Sequence, residues 1–492
     1  MCHVEVSPMS YPASDLPEVT VITGAYNAMP YLTRSVESVA EQTIGRDRIQ
    51  FVVVDDGSTD GTGAELDRLA GEYSSLMTVI HQENSGGPGG PRNVGLEHAR
   101  GRFVFFLDAD DYLGPEALER MVRAADDNGS DVVLGKMIGK GGRRPPKSMF
   151  KKNQPRTDVF SSRVYWTLNP MKLFRRQLIE RHGLRFRSEL RVGQDQPFVA
   201  AAYLKASAIS VIADYDCVHW VTREDGGNNT KSNRGTEKRL KFLGVMLELV
   251  GDNVPPGSRR DHLLHRHFSI EVPHALTHLR RETNREEQEK ALARLRELVG
   301  AWYGEGVAAL LRPVGRLIVD VILHGSLDDV LETGRLHRAK QAWLGKGSAR
   351  WAPGDPSTLL VEFQCSLPGV GGGSPRIELT NEAGTTVTSA AEPLPDAGPH
   401  MYVARVSLSR LAAEQTSSAR PWTVAVGVQL GEHHCRVAFP VESDSGATRW
   451  RYRGRPWRAR LLPGAALRLR LEKVSVPSAI RSATRVVSRG AR

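Results

Sequence analysis

The run Phe103–Leu107, followed at once by Asp108, Asp110 and Asp111 (FVFFLDADD), constrains this chain more than any other stretch. Five unbroken apolar or aromatic residues suit a strand buried on both faces, as in a parallel sheet covered by helices. Ligands of such sheets bind beyond the carboxyl ends of the strands, which is where the three acids stand. Clustered carboxylates repel one another unless a cation or hydrogen-bond donors hold them. A hard divalent metal carrying substrate phosphates, Mn²⁺ or Mg²⁺, is the natural occupant. The plainer reading is a solvated strand end whose aspartate caps the next helix. The neighbouring segments decide between the two.

Upstream, Val19–Thr23 reads as a strand ending in the turn Gly24-Ala25-Tyr26-Asn27, and Pro30 opens a helix with Leu32, Val36 and Val39 on one face. A second strand, Phe51–Val54, ends in Asp55-Asp56-Gly57-Ser58, with Thr59 or Asp60 placed to cap the following helix. A third, Met77–His81, leads into Gly86-Gly87-Pro88-Gly89-Gly90-Pro91 and a helix from about Arg92. After the central strand come a helix over Pro115–Ala125 and a strand over Asp131–Leu134. Strand and helix alternate at short spacing, which predicts a doubly wound α/β sheet. Each polar cluster follows a strand, so all gather on one edge.

Each cluster has a chemical use there. Tyr26 can stack on a base and Asn27 can hold the turn. Asp55 and Asp56 can accept hydrogen bonds from a base imide or ribose hydroxyls. The glycine-rich loop lets backbone N–H groups approach a ligand, and Arg92 can pair with phosphate. Asp108 and Asp110 supply ribose and metal contacts. Together they describe a site for a nucleoside diphosphate with a metal. A Rossmann dinucleotide site is excluded because no Gly-x-Gly-x-x-Gly follows the first strand, and a P-loop because no Gly-Lys-Ser/Thr follows the glycines.

The stretches VTVITGAYNA, FVVVDDGSTDGT, NSGGPGGPRNVGLEHARG and FVFFLDADDYL, in this order, make residues 17–230 resemble glycosyltransferase family 2, with its Rossmann-like GT-A fold. The resemblance implies that Tyr26 and Asp56, with Asp55 beside them, contact uracil. It implies that Asp108 meets the ribose and Asp110 the metal, and that a sugar leaves its nucleotide with inversion. Inverting transfer needs a carboxylate to take the proton from the acceptor hydroxyl. The stretch Leu190–Leu204 offers one acid, Asp195, at the start of an apolar helix, where it would otherwise be read as a cap. GQDQPF resembles the family's Glu-Asp-x-x-Phe motif, whose aspartate is the base. Gln194 stands where many relatives carry a glutamate. Downstream, HWVTREDGGNNTKS (His219–Ser232) suits a loop that closes over the donor, with His219 as a further metal ligand and Arg223 and Lys231 on the diphosphate.

From Glu237 to about Trp343 the apolar spacing is helical, a scaffold or linker; its histidines 262, 265, 267, 274 and 278 read as solvated or interface residues. Gly345-Lys346-Gly347-Ser348 reads as a flexible linker. Alternating stretches over 358–363, 376–379, 401–406, 422–430 and 435–439 predict an antiparallel sandwich of immunoglobulin type. The expected organisation is a GT-A domain (17–232), a helical linker domain (233–345), a β-sandwich (350–445) and a basic tail (446–492). In order and proportion it resembles the wall-teichoic-acid glycosyltransferases, whose C-terminal modules trimerise.

Charge enters the argument at the tail. The net charge is +10, yet residues 449–492 hold twelve Arg and one Lys against one Glu, so residues 1–448 sum to −2. A tail of this kind suggests an anionic partner, a membrane surface, nucleic acid or an acidic polymer, though nothing in the core calls for nucleic acid; the plainer reading is an edge strand with its charged face in water. Four cysteines make no disulfide framework; Cys365 and Cys435 could face each other in the sandwich, but read rather as two unpaired core thiols. The first fifteen residues lack the pattern of a signal peptide, and no apolar run is long enough to cross a membrane. The sequence therefore predicts a metal-dependent inverting transferase using a UDP-sugar, UDP-GlcNAc among the candidates, on a cell-wall polyol-phosphate polymer. It would work in the cytoplasm, in peripheral contact with the inner face of the plasma membrane, as a homotrimer and without nucleic acid. A capsular, exopolysaccharide or lipid-linked glycan is the alternative acceptor. A polymer-binding scaffold with a dead transferase domain is the alternative class.

Overall fold

A computed structural model describes residues 16–190, 193–223, 235–338, 344–365, 375–398, 400–415, 421–430, 433–438, 441–443, 446–462 and 467–474. Contacts divide the chain into two units, Met1–His267 and Phe268–Arg492. No described helix is long and apolar enough to cross a membrane.

The first unit opens with β1 (Val19–Ala25), α1 (Leu32–Ala40), β2 (Ile49–Asp55), α2 (Thr62–Glu72), β3 (Met77–His81), α3 (Gly89–Glu97) and β4 (Phe103–Phe106). It continues with β5 (Tyr112–Leu113), α4 (Ala117–Asn128), β6 (Val132–Lys140), β7 (Gln154–Thr157), β8 (Leu173–Arg175), α5 (Arg176–Arg181), α6 (Asp195–Lys205), β9 (Ile209–Val221) and α7 (Thr236–Asn253). The strands form one sheet in the order β3-β2-β1-β4-β8-β6-β9-β5, with β7 on β9. β1 to β4 run parallel, as the alternation predicts. Beyond β4 the sheet is mixed, because β8 enters antiparallel between β4 and β6.

The central strand is buried on both faces: Phe103, Val104, Phe105 and Phe106 are at most 1% exposed. Full burial of each such side chain stabilises by roughly 1.5–3 kcal/mol. α1 lies down through Leu32, Val36 and Val39. Gly61 is the N-cap of α2, and Asp60 just before it accepts from the N–H of Thr62 at 3.0 Å, while Gly129, in the left-handed region, ends α4. α3 starts at Gly89, inside the glycine run, three residues before the expected Arg92.

α8 (Ser258–Leu279) carries the boundary between the units. On the first unit's side, His267 is fully buried with Nε2 at 3.1 Å from the Tyr165 hydroxyl, and His265 meets the Trp166 ring edge-on. Burial holds the His267 imidazole well below its ordinary pKa, with Arg266 adding to the effect.

The second unit continues with α9 (Arg285–Trp302), α10 (Glu305–Leu310), α11 (Pro313–His324) and α12 (Leu327–Arg338). Then follow β10 (Leu344–Ala352), β11 (Asp355–Cys365), β12 (Arg376–Thr380), β13 (Thr386–Pro393), β14 (Met401–Ser407), α13 (Leu408–Glu414), β15 (Trp422–Leu430), β16 (His433–Ala438), β17 (Val441–Ser443), β18 (Ala447–Tyr452), β19 (Arg455–Leu462) and β20 (Arg468–Lys473). These strands make one connected sheet in the order β17-β10-β11-β14-β13-β12-β15-β20-β19-β18, with β16 on β15. β13 joins its halves, pairing with β12 through Thr386–Ala390 and with β14 through Ala391–Pro393.

Two sequence expectations change here. Gly345–Ser348 is no linker: it lies within β10, whose Gly347 and Ser348 pair with Phe363 and Glu362. Residues 446–473 are no free tail: β20 pairs with β15, and β18 and β19 extend the same sheet. Trp450, Trp457, Ala459, Leu461, Leu469 and Leu471 are buried along them. Residues 475–492 lie outside the described residues.

Candidate active site

The carboxyl ends of β1, β2 and β4 gather the expected residues on one edge. Tyr26 is half exposed just past β1, able to present its ring to a ligand. Asn27, with φ +47°, holds the turn as expected: its Oδ1 accepts from the N–H of Thr59 at 2.8 Å, and its own N–H donates to Ser58 Oγ at 3.0 Å. Its carbonyl accepts from Arg223 at 2.6 Å, so Arg223 reaches this turn. Lys231 and the rest of the loop from Glu224 to Arg234 lie outside the described residues.

Asp55 and Asp56 are both buried. Asp55 Oδ1 accepts from the N–H of Ser58, and Oδ2 lies 3.0 Å from His81 Nδ1. Asp55 and Asp67 together raise the His81 pKa. Asp56 holds the loop after β3: it accepts from Gln82 Nε2 at 2.6 Å, from the Ser85 N–H at 2.9 Å and from the Ser85 hydroxyl at 3.0 Å. The glycines of that loop serve the protein's own packing. A Cβ on Gly87 or Gly89 would stand within 3 Å of the Gln194 amide, and one on Gly90 2.4 Å from Ser85 Oγ. The Gly89 N–H, expected to face a ligand, donates to Gln194 Oε1 at 2.6 Å.

Arg92 is the centre of the site. It is 5% exposed, and its guanidinium lies between two carboxylates. Nη2 donates to Asp108 Oδ1 at 2.6 Å, and Nη1 donates to Asp195 Oδ1. The sequence gives Arg92 to a phosphate; in the structure it joins the Asp-x-Asp stretch to the candidate base, 103 residues further on. Both carboxylates keep about a third of their side-chain surface exposed on the edge of the sheet. Burial raises the Asp195 pKa, Arg92 opposes that, Asp108 adds to it and Lys172 opposes it again.

An aromatic cluster that sequence reading missed holds this geometry. Phe186 stacks on Phe198 of α6 at 4.2 Å, both meet Phe106 edge-on, and Arg92 lies over the Phe186 ring. It ties the end of β4 to the helix that carries Asp195. Lys172 was missed too. It is 2% exposed, and its Nζ donates to the Asn169 carbonyl and side chain. Burial pulls its pKa down to about 7, against the pull of Asp195. The aromatic cluster leaves no local signal, since its rings come from segments far apart in the chain, and nothing in the local sequence marks Lys172 as buried beside Asp195.

Asp108, Asp110 and Asp111 bring one carboxylate oxygen each within 4.8 Å of one another. Burial, then the charge of Asp108, pushes Asp110 up to about 6 and Asp111 well above the ordinary carboxylate range. Asp111 Oδ1 accepts from the Val221 N–H at 2.7 Å, while its buried Oδ2 meets no donor. An orphaned carboxylate oxygen beside two more acids fits a divalent cation. His219 is not part of this group. Its ring stacks on Tyr112 at 4.3 Å and 4°, because the two residues face each other across β5 and β9. Burial, with Lys140, lowers the His219 pKa.

Residues 20–190 match the family model described as Glycosyl transferase family 2, and residues 239–333 the one described as Glycosyl transferase TarS linker domain. The chain is 37% identical over 233 residues to a poly(ribitol-phosphate) beta-glucosyltransferase of Bacillus spizizenii, covering 47% of this chain and 36% of that protein. It is 34% identical over 255 residues to the poly(ribitol-phosphate) beta-N-acetylglucosaminyltransferase TarS of Staphylococcus aureus, covering 51% of this chain and 44% of that protein. The matches thus span less than half the length of these curated relatives. A crystal structure of S. aureus TarS 1–349 in complex with UDP-GlcNAc is similar with a TM-score of 0.59 and 30% identity, over 71% of this chain and 98% of that one.

Proposed function

Because the chain belongs to glycosyl transferase family 2, with the GT-A fold, we propose that it is an inverting transferase moving a sugar from a UDP-sugar to a hydroxyl of a polyol-phosphate polymer. One observation carries the reading: Arg92 binds Asp108 and Asp195 into a single charged unit at the carboxyl edge of the sheet. A donor held at the Asp-x-Asp stretch then has a base beside it. In this reading Tyr26 stacks on the uracil, Asp55 and Asp56 shape its pocket, and Asn27 fixes the turn. Asp108 faces the ribose and Arg223 the diphosphate. Asp195 takes the proton from the acceptor hydroxyl, which attacks the anomeric carbon from the face opposite UDP. A divalent metal, Mn²⁺ or Mg²⁺, held by Asp108, Asp110 and Asp111, would neutralise charge on the departing diphosphate.

The polymer acceptor is supported by the named activities of the relatives and by a face of the second unit. The exposed side of β18–β20 presents Arg449, Arg451, Arg460 and Arg468, with Arg458 and Arg470 between them. UDP-GlcNAc as the donor is supported by the similar crystal structure that holds it, and UDP-glucose by the beta-glucosyltransferase relative. The proposed place of work is the cytoplasm, at the inner face of the plasma membrane. The immunoglobulin-like reading of the C-terminal sheet rests on its two halves, antiparallel but for the β10–β17 pair, joined by β13.

The test is UDP release by the full chain with Mn²⁺, a panel of UDP-sugars and a ribitol-phosphate polymer. One UDP-sugar should turn over, and Asp195→Asn should cut kcat by at least about a hundredfold, the scale of a lost general base, while UDP still binds. Absence of UDP binding would sink the reading.

A further inference from the structure

Gln194 stands one residue before Asp195 and is 4% exposed. Its Oε1 accepts from the Gly89 N–H, at the first residue of α3, at 2.6 Å. Its Nε2 donates to the Leu190 carbonyl and, at 3.3 Å, to that of Ser188. The amide orientation is fixed by these partners, since a backbone N–H can only donate and a carbonyl can only accept. The glycines of the loop make room for it: a Cβ on Gly87 would lie 2.9 Å from Nε2, and one on Gly89 2.8 Å from Oε1.

We propose that Gln194 is a positioning residue that ties the glycine-rich loop to the start of the catalytic helix through an amide used at both ends. The loop runs into α3, which carries Arg92, and α6 carries Asp195. The tether therefore sets the two partners of the central ion pair from one buried side chain. Its kinetic consequence rests on the transferase reading; its geometry does not.

In this chain's packing the amide satisfies partners of both kinds, one N–H and two carbonyls. A glutamate here could accept from Gly89, but its carboxylate would face two carbonyl oxygens in a buried setting, and only the protonated acid could donate to one of them. The charged residues next to Gln194 and its partners along the chain are Asp195 on the same helix, Arg92 on α3, and Arg185, Arg187 and Glu189 in the segment after α5; Arg191 lies outside the described residues. All are common to the wild type and the variant, so the ratio of the two isolates position 194.

The test compares Gln194→Glu with wild type in the full chain, from about pH 5.5 to about pH 8.5, a range that carries a buried glutamate from protonated to charged. The kcat/KM ratio should stay within about threefold of one at the acid end and fall at least tenfold at the alkaline end, the scale of a lost buried hydrogen bond or two. The Tm difference should widen over the same range, because a carboxyl whose folded pKa is raised stabilises only below it. Gln194→Met, which keeps the length and removes both polar ends, should be impaired at every pH. A ratio that does not change with pH, or a methionine variant as active as wild type, overturns the tether. If the wild type itself shows no transfer, the transferase reading falls alone. The tether is then judged by Tm, which supports it if the difference widens with pH and overturns it if the difference is constant.

Discussion

Arg92 concentrates the electrostatics of the site in one side chain. Its two carboxylate partners keep it charged although burial alone would depress it. Breaking a buried pair on one side leaves the other charge uncompensated, at a cost of up to about 3 kcal/mol when the partners remain partly hydrated. The kinetic effect follows from Asp195. Burial already raises its pKa, with Arg92 the main opposing influence. Arg92→Gln removes that opposition. A base must be deprotonated, so the rate is lost as pH falls through its pKa, and a higher pKa moves the loss upward. The acid limb of kcat/KM should shift to higher pH, with activity lost on the acid side and kept on the alkaline side. An unshifted limb would show that Asp195 is not the titrating base. The individual acids were legible in the sequence because each follows a strand and each has a chemical use. The ion pair was not, because Arg92 and Asp195 are far apart in the chain and their meeting depends on Phe186, Phe198 and Gln194, whose packing leaves no local pattern.

At the scale of elements, the three strands β18 to β20 decide what the second unit offers a partner. Trp450 and Trp457 face inward, while the arginines alternate outward. Arg449 stands directly opposite Arg458, and Arg460 opposite Arg470, with Glu472 opposite Arg458 on its other side. Like charges in direct cross-strand register cost roughly 0.2–1 kcal/mol each, a repulsion that a bound polyanion relieves. Replacing Arg451, Arg460 and Arg468 by Ser should weaken binding to a ribitol-phosphate polymer by roughly tenfold or more and flatten its salt dependence, measured by titration at two ionic strengths. An unchanged salt slope would remove the face from the acceptor path. Stronger binding to anionic vesicles than to the polymer would reassign it to lipid. The alternation of Arg with apolar residues was visible in the sequence as a strand period. The partner strand was not, since β15 lies upstream with no local signal of pairing. Likewise Gly345–Ser348 has the composition of a linker, and its strand state comes from the backbone ladder that β11 provides. The α/β half was easier to read because its central strands β1, β2 and β4 are buried on both faces and α1, α2 and α4 each carry one apolar stripe.

On the scale of the whole molecule, charge and association belong together. Residues 1–448 sum to −2 and residues 449–492 to +12, so the basic character sits at one end of the chain. A polymer with many repeats rewards several such faces held together, because each further contact forms at high effective concentration. We therefore propose that the full chain is a homotrimer assembled through its C-terminal region. Among the described residues the exposed large hydrophobics are Leu16, Tyr26 and Leu310, none of them in the C-terminal sheet. Association through the described part of that sheet would thus be polar and would respond to salt. Light scattering should give the full chain about three times its 54.2 kDa, the stoichiometry expected from resemblance, and a chain ending at Arg338 the mass of one copy. If both are single copies, the faces act alone, and affinity for the polymer should not depend on its length beyond one binding site. If the shorter chain also forms trimers, the interface lies before β10 and the C-terminal sheet is left with the polymer as its partner.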